Sequence, residues 1–250
     1  MFTIGAYYQS VDPANVLVQI NAVQDQHLVT QGKDLRVPRK LSSLVGQIAL
    51  TGAAALVQAQ LASPSLRSVA LLDIEPVVAA SVFGSPPEAM FHPSSPIPLE
   101  EDESLNLSIQ SDPAAAADHY GLVWLSDGEI KPVNGKIYTI RGTAAIQLAA
   151  GQWVNGNLSL SQSLPVGKYQ VVGMRARGTN LVAARLVFVG YQWRPGVPAV
   201  NLISDLDPYS MRYGGFGVFG EFDSINPPSV DCLGITDAAQ VFELDIIKVG

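Results

Sequence analysis

Apolar and polar residues alternate along much of this chain, and the stretch 157–188 shows the pattern most clearly. Leu158 and Leu160 alternate with polar neighbours, which is the period of a strand with one solvated face. The turn-forming sequence LPVGK at 164–168 follows. β-branched and aromatic residues then resume, and a polar segment containing Gly178 separates them from a last apolar run. This pattern predicts three antiparallel strands joined by short turns.

The first half of the chain predicts strands in the same style. In 11–37 and in 99–110 apolar residues recur at every second position. Residues 39–61 fit either a strand or a helical stripe, but Gly46 and Gly52 favour the strand because glycine destabilises a helix interior. The other expected elements are two buried strands in 68–83 kinked at Glu75 and Pro76, a loop rich in Pro and Ser at 84–98, and an apolar strand at 120–125.

Residues 126–136 (SDGEIKPVNGK) have the composition of a connection between two compact units. We place the boundary there, which gives an N-terminal unit at 1–127 and a C-terminal unit at 128–250. Further strands of the second unit are predicted at 137–140, 144–148, 200–203, 217–222, 233–235 and 242–249. Each unit offers roughly seven or eight short strands and little helix. The sequence therefore predicts an all-β protein made of two tandem antiparallel β-sandwiches, or jelly rolls.

Composition narrows the function classes. The chain is 48% apolar, which suffices for a large core, and its net charge of −7 disfavours partners rich in phosphate. We therefore expect no sequence-specific binding of nucleic acid. The longest apolar stretches are shorter than the roughly 20 residues of a membrane span, and the first residues lack a positive n-region, so neither a transmembrane helix nor a secretory signal is expected. A single cysteine, Cys232, excludes an internal disulfide framework and suggests a reducing compartment.

Several local patterns resemble chemical motifs, and each has a structural explanation that we prefer. Residues 215–220 have G-x-G-x-x-G spacing, but Pro227 and Pro228 prevent the helix that a dinucleotide site needs, so we expect a turn packed close to a neighbour. The acidic run 100–103 is expected to be a solvated loop rather than a calcium site. The same interpretation applies to four further carboxylates: Asp205, Asp207, Asp223 and Asp231.

No catalytic constellation emerges from the remaining reactive residues. His27, His92 and His119 are too far apart in sequence for a metal-spacing motif. Asp118-His119-Tyr120 lacks a nucleophile on a G-x-S-x-G turn, and we expect His119 at the surface or at a cap. Cys232 lies beside a carboxylate, which works against a reactive thiolate. We therefore predict a protein that is not an enzyme and that has no catalytic residue, cofactor or metal site.

The chain resembles the double jelly-roll major capsid proteins of tailless icosahedral phages and related viruses. The likeness lies in the two-sandwich architecture and in segments such as SLPVGKYQVVGMRARGTNLVAARLVF and PIPLEEDESLNLSIQSDPAAAADHYGLVWL. It implies a homotrimer that forms a pseudo-hexameric capsomer and tiles an icosahedral shell with vertex or minor capsid proteins, often over an internal membrane. The virion would be the location, after synthesis in the host cytoplasm. The chain has no conspicuous amphipathic N-terminal helix for contact with a membrane.

Two segments are candidates for subunit contacts. Pro-rich loops lose little entropy on docking, and Trp and Arg are enriched at interface centres. The predicted interface residues are Tyr191, Trp193, Arg194 and Pro195 in 191–198, together with Pro93 and Pro96 in the loop 84–98.

Two other function classes stay open at this point. One is a secreted or surface β-sandwich module that binds carbohydrate or acts as an adhesin. Its sugar-binding face would use aromatic residues from this set: Trp124, Trp153, Trp193, Tyr169 and Tyr191. The other is a cupin-like jelly-roll enzyme, which would need a cluster of histidines and carboxylates that the sequence does not supply.

Overall fold

The computed structural model describes residues 1–52, 55–67, 72–74, 76–78, 91–112, 116–202, 209–236 and 239–250. Strands account for 52% of the chain and helical turns for 3%, which confirms the all-β prediction. Two single turns, α1 (Pro64–Arg67) and a 3-10 turn (Tyr209–Met211), represent the helical part of the described residues. Secondary structure is therefore set by strand pairing, and most of those pairs join residues far apart in sequence.

The strands of the first half form two sheets. They are β1 (Phe2–Val11), β2 (Val18–Gln19), β3 (Asn21–Ala22), β4 (Thr30–Gln31), β5 (Asp34–Arg36), β6 (Ser43–Thr51), β7 (Ala55–Ala62), β8 (Leu72–Ile74), β9 (Pro76–Val78), β10 (Ile97–Pro98), β11 (Ser104–Asp112) and β12 (Ala117–Ser126). The first sheet has the order β10-β6-β12-β1-β3, with β9 beside β6. The second has the order β4-β5-β11-β7-β8, with β2 beside β11.

The second half forms one curled sheet. Its strands are β13 (Tyr138–Ala144), β14 (Val154–Gly156), β15 (Ser159–Leu160), β16 (Lys168–Arg177), β17 (Leu181–Val187), β18 (Gly196–Val200), β19 (Gly220–Asp223), β20 (Ser229–Gly234) and β21 (Gln240–Lys248). The order is β14-β20-β17-β18-β16-β21-β13-β15, with β19 beside β16. Only two residue pairs join β18 to β16, and they are parallel. The sheet therefore consists of two antiparallel leaves that meet at this short junction.

The same pairing scheme occurs in both halves. The first strand pairs with the last, as β1 with β12 and β13 with β21. The last strand also pairs with a long central strand, β6 or β16. In the other sheet or leaf, the penultimate strand β11 or β20 pairs with the strand that follows this central strand, β7 or β17. These long-range pairings give each half its layers.

Alternation in β11 directly produces one core of the first half. Leu105, Leu107 and Ile109 are fully buried, while Asn106 and Ser108 between them are partly exposed. This confirms the alternation predicted for 99–110. The buried side chains face the first sheet, because a Cβ added at Gly121 in β12 would collide with the Leu107 side chain.

The first sheet is a central layer because the second half covers its other face. Trp124 of β12 donates from Nε1 to the carbonyl of Gly196 at 2.8 Å, and the Tyr120 hydroxyl donates to the carbonyl of Gly234 at 2.9 Å. The ring of Phe2 lies edge-on to Phe216 at 4.9 Å between centroids. Burial on both faces explains why β12 is an almost unbroken apolar run.

Several strand boundaries and pairings differ from the predictions. The predicted hairpin after Lys168 is wrong in its pairing, because β16 and β17 lie in different leaves and bond to β21 and β20. The strand predicted around Val16 is replaced by the short β2 and β3, and Val16 lies in a turn where it is 60% exposed. Residues 145–149 form no strand. Instead, the Gln240 side chain satisfies both the N–H and the carbonyl of Ile146, at 2.9 Å each.

The ambiguous segment 39–61 and the described parts of 68–98 contain strands. Residues 39–61 contain β6 and most of β7, which confirms the strand interpretation. In 68–83 the described residues belong to β8 and β9, and the others lie outside the described residues, as do 84–90 of the predicted loop. The end of that loop is a short strand, β10, paired with β6.

Candidate functional site

Two predicted interface residues, Arg194 and Pro195, are buried between the two halves of the chain. The Arg194 N–H donates to Thr3 Oγ1 at 3.1 Å, and its carbonyl accepts from the N–H of Ile4 at 3.1 Å. The guanidinium donates from one terminal nitrogen to the carbonyl of Tyr191 at 2.8 Å. The Arg194 backbone therefore joins the two halves within one molecule, while its side chain bonds to its own segment.

The other predicted interface residues are partly exposed: Tyr191, Trp193, Pro93 and Pro96. The carbonyl of Pro93 accepts a hydrogen bond from Ile130 at 2.9 Å, and Ile130 and Tyr191 line one cavity of about 440 Å³. The structure thus brings segments 91–98 and 191–195 to the same end of the molecule, although they are remote in sequence. Their role as contacts between subunits stays a prediction.

Two exposed apolar side chains form a further candidate contact that sequence reasoning missed. Val166 is 83% exposed and Ile225 is 84% exposed. Their loops touch, since the N–H of Ser224 donates to the carbonyl of Gly167 at 2.9 Å. We call Val166 and Ile225 the apolar tips. Val166 lies between Pro165 and Gly167 and Ile225 between Ser224 and Asn226, so neither belongs to a periodic apolar pattern.

A polar cavity of about 800 Å³ lies between the two halves. Its floor contains the buried side chains of Arg185 and Arg194, with Asp25 and Asp231 beside them. Its accessible wall carries exposed polar side chains from two loops, one near Gln24 and the other near Gln152 and Asn155. The half-buried Trp153 completes the lining. We call this the interdomain cavity.

Arg185 is the centre of the charged network in this floor. Its Nε donates to Asp231 at 2.9 Å, its terminal nitrogens donate to Asp25, and its guanidinium lies 4.1 Å from the Trp153 ring centroid. Asn155 adds a hydrogen bond to Asp231 at 2.7 Å. The expectation that Asp231 is solvated is therefore wrong. The sequence signal for this charged network is one arginine, Arg185, inside an apolar strand. This signal could not identify the acidic partners of Arg185.

The three histidines occupy separate environments. His119 is fully buried, with Nδ1 2.9 Å from Thr51 Oγ1 and Nε2 3.2 Å from the carbonyl of Val11, so the predicted surface or cap position is wrong. Burial lowers its pKa below the usual histidine value. Burial also lowers the pKa of His92, and it lowers the pKa of His27, where the positive charge of Arg194 adds to the effect. His27 lies at the interdomain cavity, and its lowered pKa favours the neutral ring near neutral pH.

The G-x-G-x-x-G stretch and the acidic run 100–103 have different outcomes in the structure. Gly217 in the G-x-G-x-x-G stretch has φ of 77°, and an added Cβ at Gly220 would lie 2.6 Å from the Phe188 ring, which confirms a close-packed turn. In the acidic run Glu103 is buried and accepts from the N–H of Ser65 at 2.9 Å, so the solvated interpretation fails for that residue.

Other candidate residues have simpler locations. Asp205 and Asp207 lie outside the described residues, and Asp223 accepts from the N–H of Ile225 at 3.2 Å in a turn. The Cys232 side chain is buried in β20. Trp124 is fully buried and cannot present a sugar-binding face, whereas Trp153 lines the interdomain cavity. Among the described residues, no group of three or more His, Cys, Asp or Glu side chains could hold a metal ion.

Comparison of the chain with models of protein families, with curated proteins and with solved structures gave no match. No helix in the described part of the chain combines the length and the apolar character needed to cross a membrane.

Proposed function

We propose that this protein is a structural subunit of an icosahedral viral shell, built as two tandem jelly rolls that trimerise. The observation that carries the proposal is the strand pairing. In a jelly roll an antiparallel hairpin of about eight strands is wrapped so that the first strand pairs with the eighth, the second with the seventh, the third with the sixth and the fourth with the fifth. The wrapping adds two further pairs, eighth with third and seventh with fourth.

The first half contains all six pairs of this scheme. Its outer pairs are β1 with β12 and β5 with β11, and its inner pairs are β6 with β10 and β7 with β8. The wrapping pairs are β12 with β6 and β11 with β7. The short strand β2 is antiparallel to β11 and extends the second position, whereas β3 beside β1 and β9, which is parallel to β6, are additions to the scheme.

The second half fits the scheme independently. Its outer pairs are β13 with β21 and β14 with β20, and its inner pairs are β16 with β19 and β17 with β18. The wrapping pairs are β21 with β16 and β20 with β17. The agreement of two halves that share no obvious sequence repeat supports the tandem arrangement, with a junction near residues 126–136.

Tandem jelly rolls favour a shell subunit over the other functions of the fold. Single jelly rolls also occur in lectins and cupins, so one half alone would not discriminate. Here the halves share a buried junction that contains Trp124 and the Arg185 network, which supports one wide block rather than two independent modules. A block with two similar halves is the shape that allows three copies to approximate a hexagonal tile.

The surface is compatible with association of identical copies. Charged residues are only 15% of the chain, and the apolar tips would be shielded from water in an assembly. We propose contacts through the apolar tips and through the end of the molecule that carries Trp193 and Pro93. Vertex or minor capsid proteins are proposed as further partners, and an internal membrane as a possible neighbour of the shell.

Electron microscopy of the purified protein tests the proposal. Trimeric tiles with a pseudo-hexagonal outline, or closed shells, would support it. A protein that stays monomeric in every assembly condition would refute it, and would favour the alternative of a surface β-sandwich module.

A further inference from the structure

We infer that the interdomain cavity binds a neutral saccharide, a ligand function separate from shell assembly. The cavity volume of about 800 Å³ falls within the range of about 300–1,000 Å³ typical of small-molecule sites. This volume is large enough for one or two sugar rings. The site lies between two halves that share a buried junction, and such junctions are common positions for ligand sites.

The accessible wall carries groups that both donate and accept hydrogen bonds. Gln24, Gln26 and Gln152 are exposed side-chain amides at the cavity, and His27 adds an imidazole. Each amide offers two donors and one acceptor oxygen, while a sugar hydroxyl donates and accepts at the same time. A set of planar amides is therefore matched to neighbouring hydroxyl groups. An anion, which only accepts, would leave the amide oxygens without donors.

The charge of the floor also favours a neutral ligand. Arg185 and Arg194 supply two positive charges, and Asp25 and Asp231 supply two negative charges. Both carboxylates already bond to Arg185, so its charge is compensated locally. A small anion would gain no net attraction and would be repelled by the nearby carboxylates.

Trp153 provides an apolar surface and an unused donor. Its ring lies against the Arg185 guanidinium, and its Nε1 is buried without a hydrogen-bond partner among the described residues. The Nε of Arg194 is in the same condition. A buried donor without a partner is energetically unfavourable. A small shift of either side chain toward a hydroxyl oxygen in the cavity would remove that cost.

Saturation-transfer difference NMR on the intact chain tests this inference. The probes are D-glucose, D-galactose and N-acetyl-D-glucosamine, with sodium acetate and inorganic phosphate as anionic comparisons. We expect saturation transfer to at least one sugar, with Kd in the millimolar range or below, and none to either anion. Gln24→Ala combined with Gln152→Ala should weaken sugar binding by about tenfold or more. Both side chains are exposed, so the fold should be retained.

Gln162→Ala is the matched control, because Gln162 is an exposed amide that does not line the cavity. It should bind as the unmodified protein does. Absence of binding to all three sugars would overturn the inference, as would binding unaffected by the double substitution. Binding of acetate or phosphate in place of sugar would also overturn it and would identify an anion site. The measurement uses unassembled protein, so its outcome is independent of the proposed shell.

Discussion

Arg185 in the second half of the chain donates hydrogen bonds to the Asp25 carboxylate in the first half, 160 residues away. Both side chains are almost completely buried. Removing one partner of a buried pair typically costs about 3–5 kcal/mol when the other charge is left uncompensated, but Asp231 still compensates Arg185 here. We therefore expect Asp25→Asn to lower the free energy of unfolding by less than this, by about 1–3 kcal/mol for the charge-assisted hydrogen bonds that are lost, measured by urea denaturation.

Asp102→Asn is the matched control for that substitution. Asp102 pairs with Arg39 at 3.0 Å, but both side chains are largely exposed. Exposed ion pairs contribute roughly 0–1 kcal/mol, so the control should change stability little. Equal effects of the two substitutions would show that the Asp25 pair does not hold the halves together.

The environment of Asp245 predicts how the stability of the fold changes in acid. Burial alone would raise the pKa of Asp245, but hydrogen bonds from Arg212, from the N–H of Tyr213 and from Thr139 outweigh it and lower the pKa. The unfolded chain then takes up the proton first, so this stabilisation is complete above about pH 4 and is lost as the pH falls toward the folded-state value. Asp245→Asn should destabilise at neutral pH and flatten the loss of stability below about pH 4. Thermal unfolding across this range measures both effects, and an unchanged slope would contradict the assignment.

The burial of His119 predicts a second, separate pH dependence of stability. Because burial lowers its pKa in the folded state, with only partial opposition from the carbonyl of Val11 and the charge of Asp118, the unfolded chain binds a proton more readily. Stability should be complete above about pH 6.5 and should decrease as the pH falls through that value. His119→Gln should reduce the decrease in melting temperature between about pH 7.5 and pH 5.5. His27→Gln, at an exposed site, is the comparison, and a larger effect there would contradict the role of His119.

The apolar tips give a direct test of the assembly surface. Val166→Ser combined with Ile225→Ser should weaken trimer formation by about tenfold or more, since both side chains are exposed in the single chain and would be buried in a contact. The single chain should keep its melting temperature. Val189→Ser, which is also exposed at 75%, serves as a control outside these two loops. Sedimentation velocity over a concentration series measures the association, and equal behaviour of all variants would remove the tips from the interface.

Trp193→Ala tests the second proposed contact more cleanly than a substitution of Arg194. Trp193 is partly exposed, whereas the Arg194 side chain is buried and donates to the carbonyl of Tyr191 at 2.8 Å. Truncation of Arg194 would therefore disturb packing within the single chain. We expect Trp193→Ala to weaken association while the far-ultraviolet circular dichroism stays unchanged, and destabilisation of the monomer would contradict a role limited to subunit contact.

The predictable part of this fold is the part encoded in local alternation. The alternation of Leu105, Leu107 and Ile109 with polar residues predicted β11 and its buried face. Local pattern could not identify partners, so β16 and β17 were joined as a hairpin although they lie in different leaves. Local pattern likewise could not identify the partners of charged residues.

Buried polar residues were the main failure of the sequence analysis. Asp231 was predicted to be solvated, because its partner Arg185 comes from another strand. Asp245 was not singled out at all, because its partner Arg212 lies in a distant turn. The interdomain cavity combines loops near residues 24 and 152, and only the folded chain brings these loops together. The predicted contact residues were chosen because loop prolines, aromatic residues and arginine are typical of interfaces. Val166 and Ile225 belong to none of these types and were not predicted.

The mass of the purified protein in solution, measured by sedimentation equilibrium at micromolar concentration and followed by electron microscopy of the same sample, tests the central proposal most directly. A shell subunit of this kind should sediment as a trimer of the 26.5 kDa chain and should form pseudo-hexagonal tiles or closed particles. A single-chain mass over the whole concentration range, with no larger particles under any assembly condition, would contradict it.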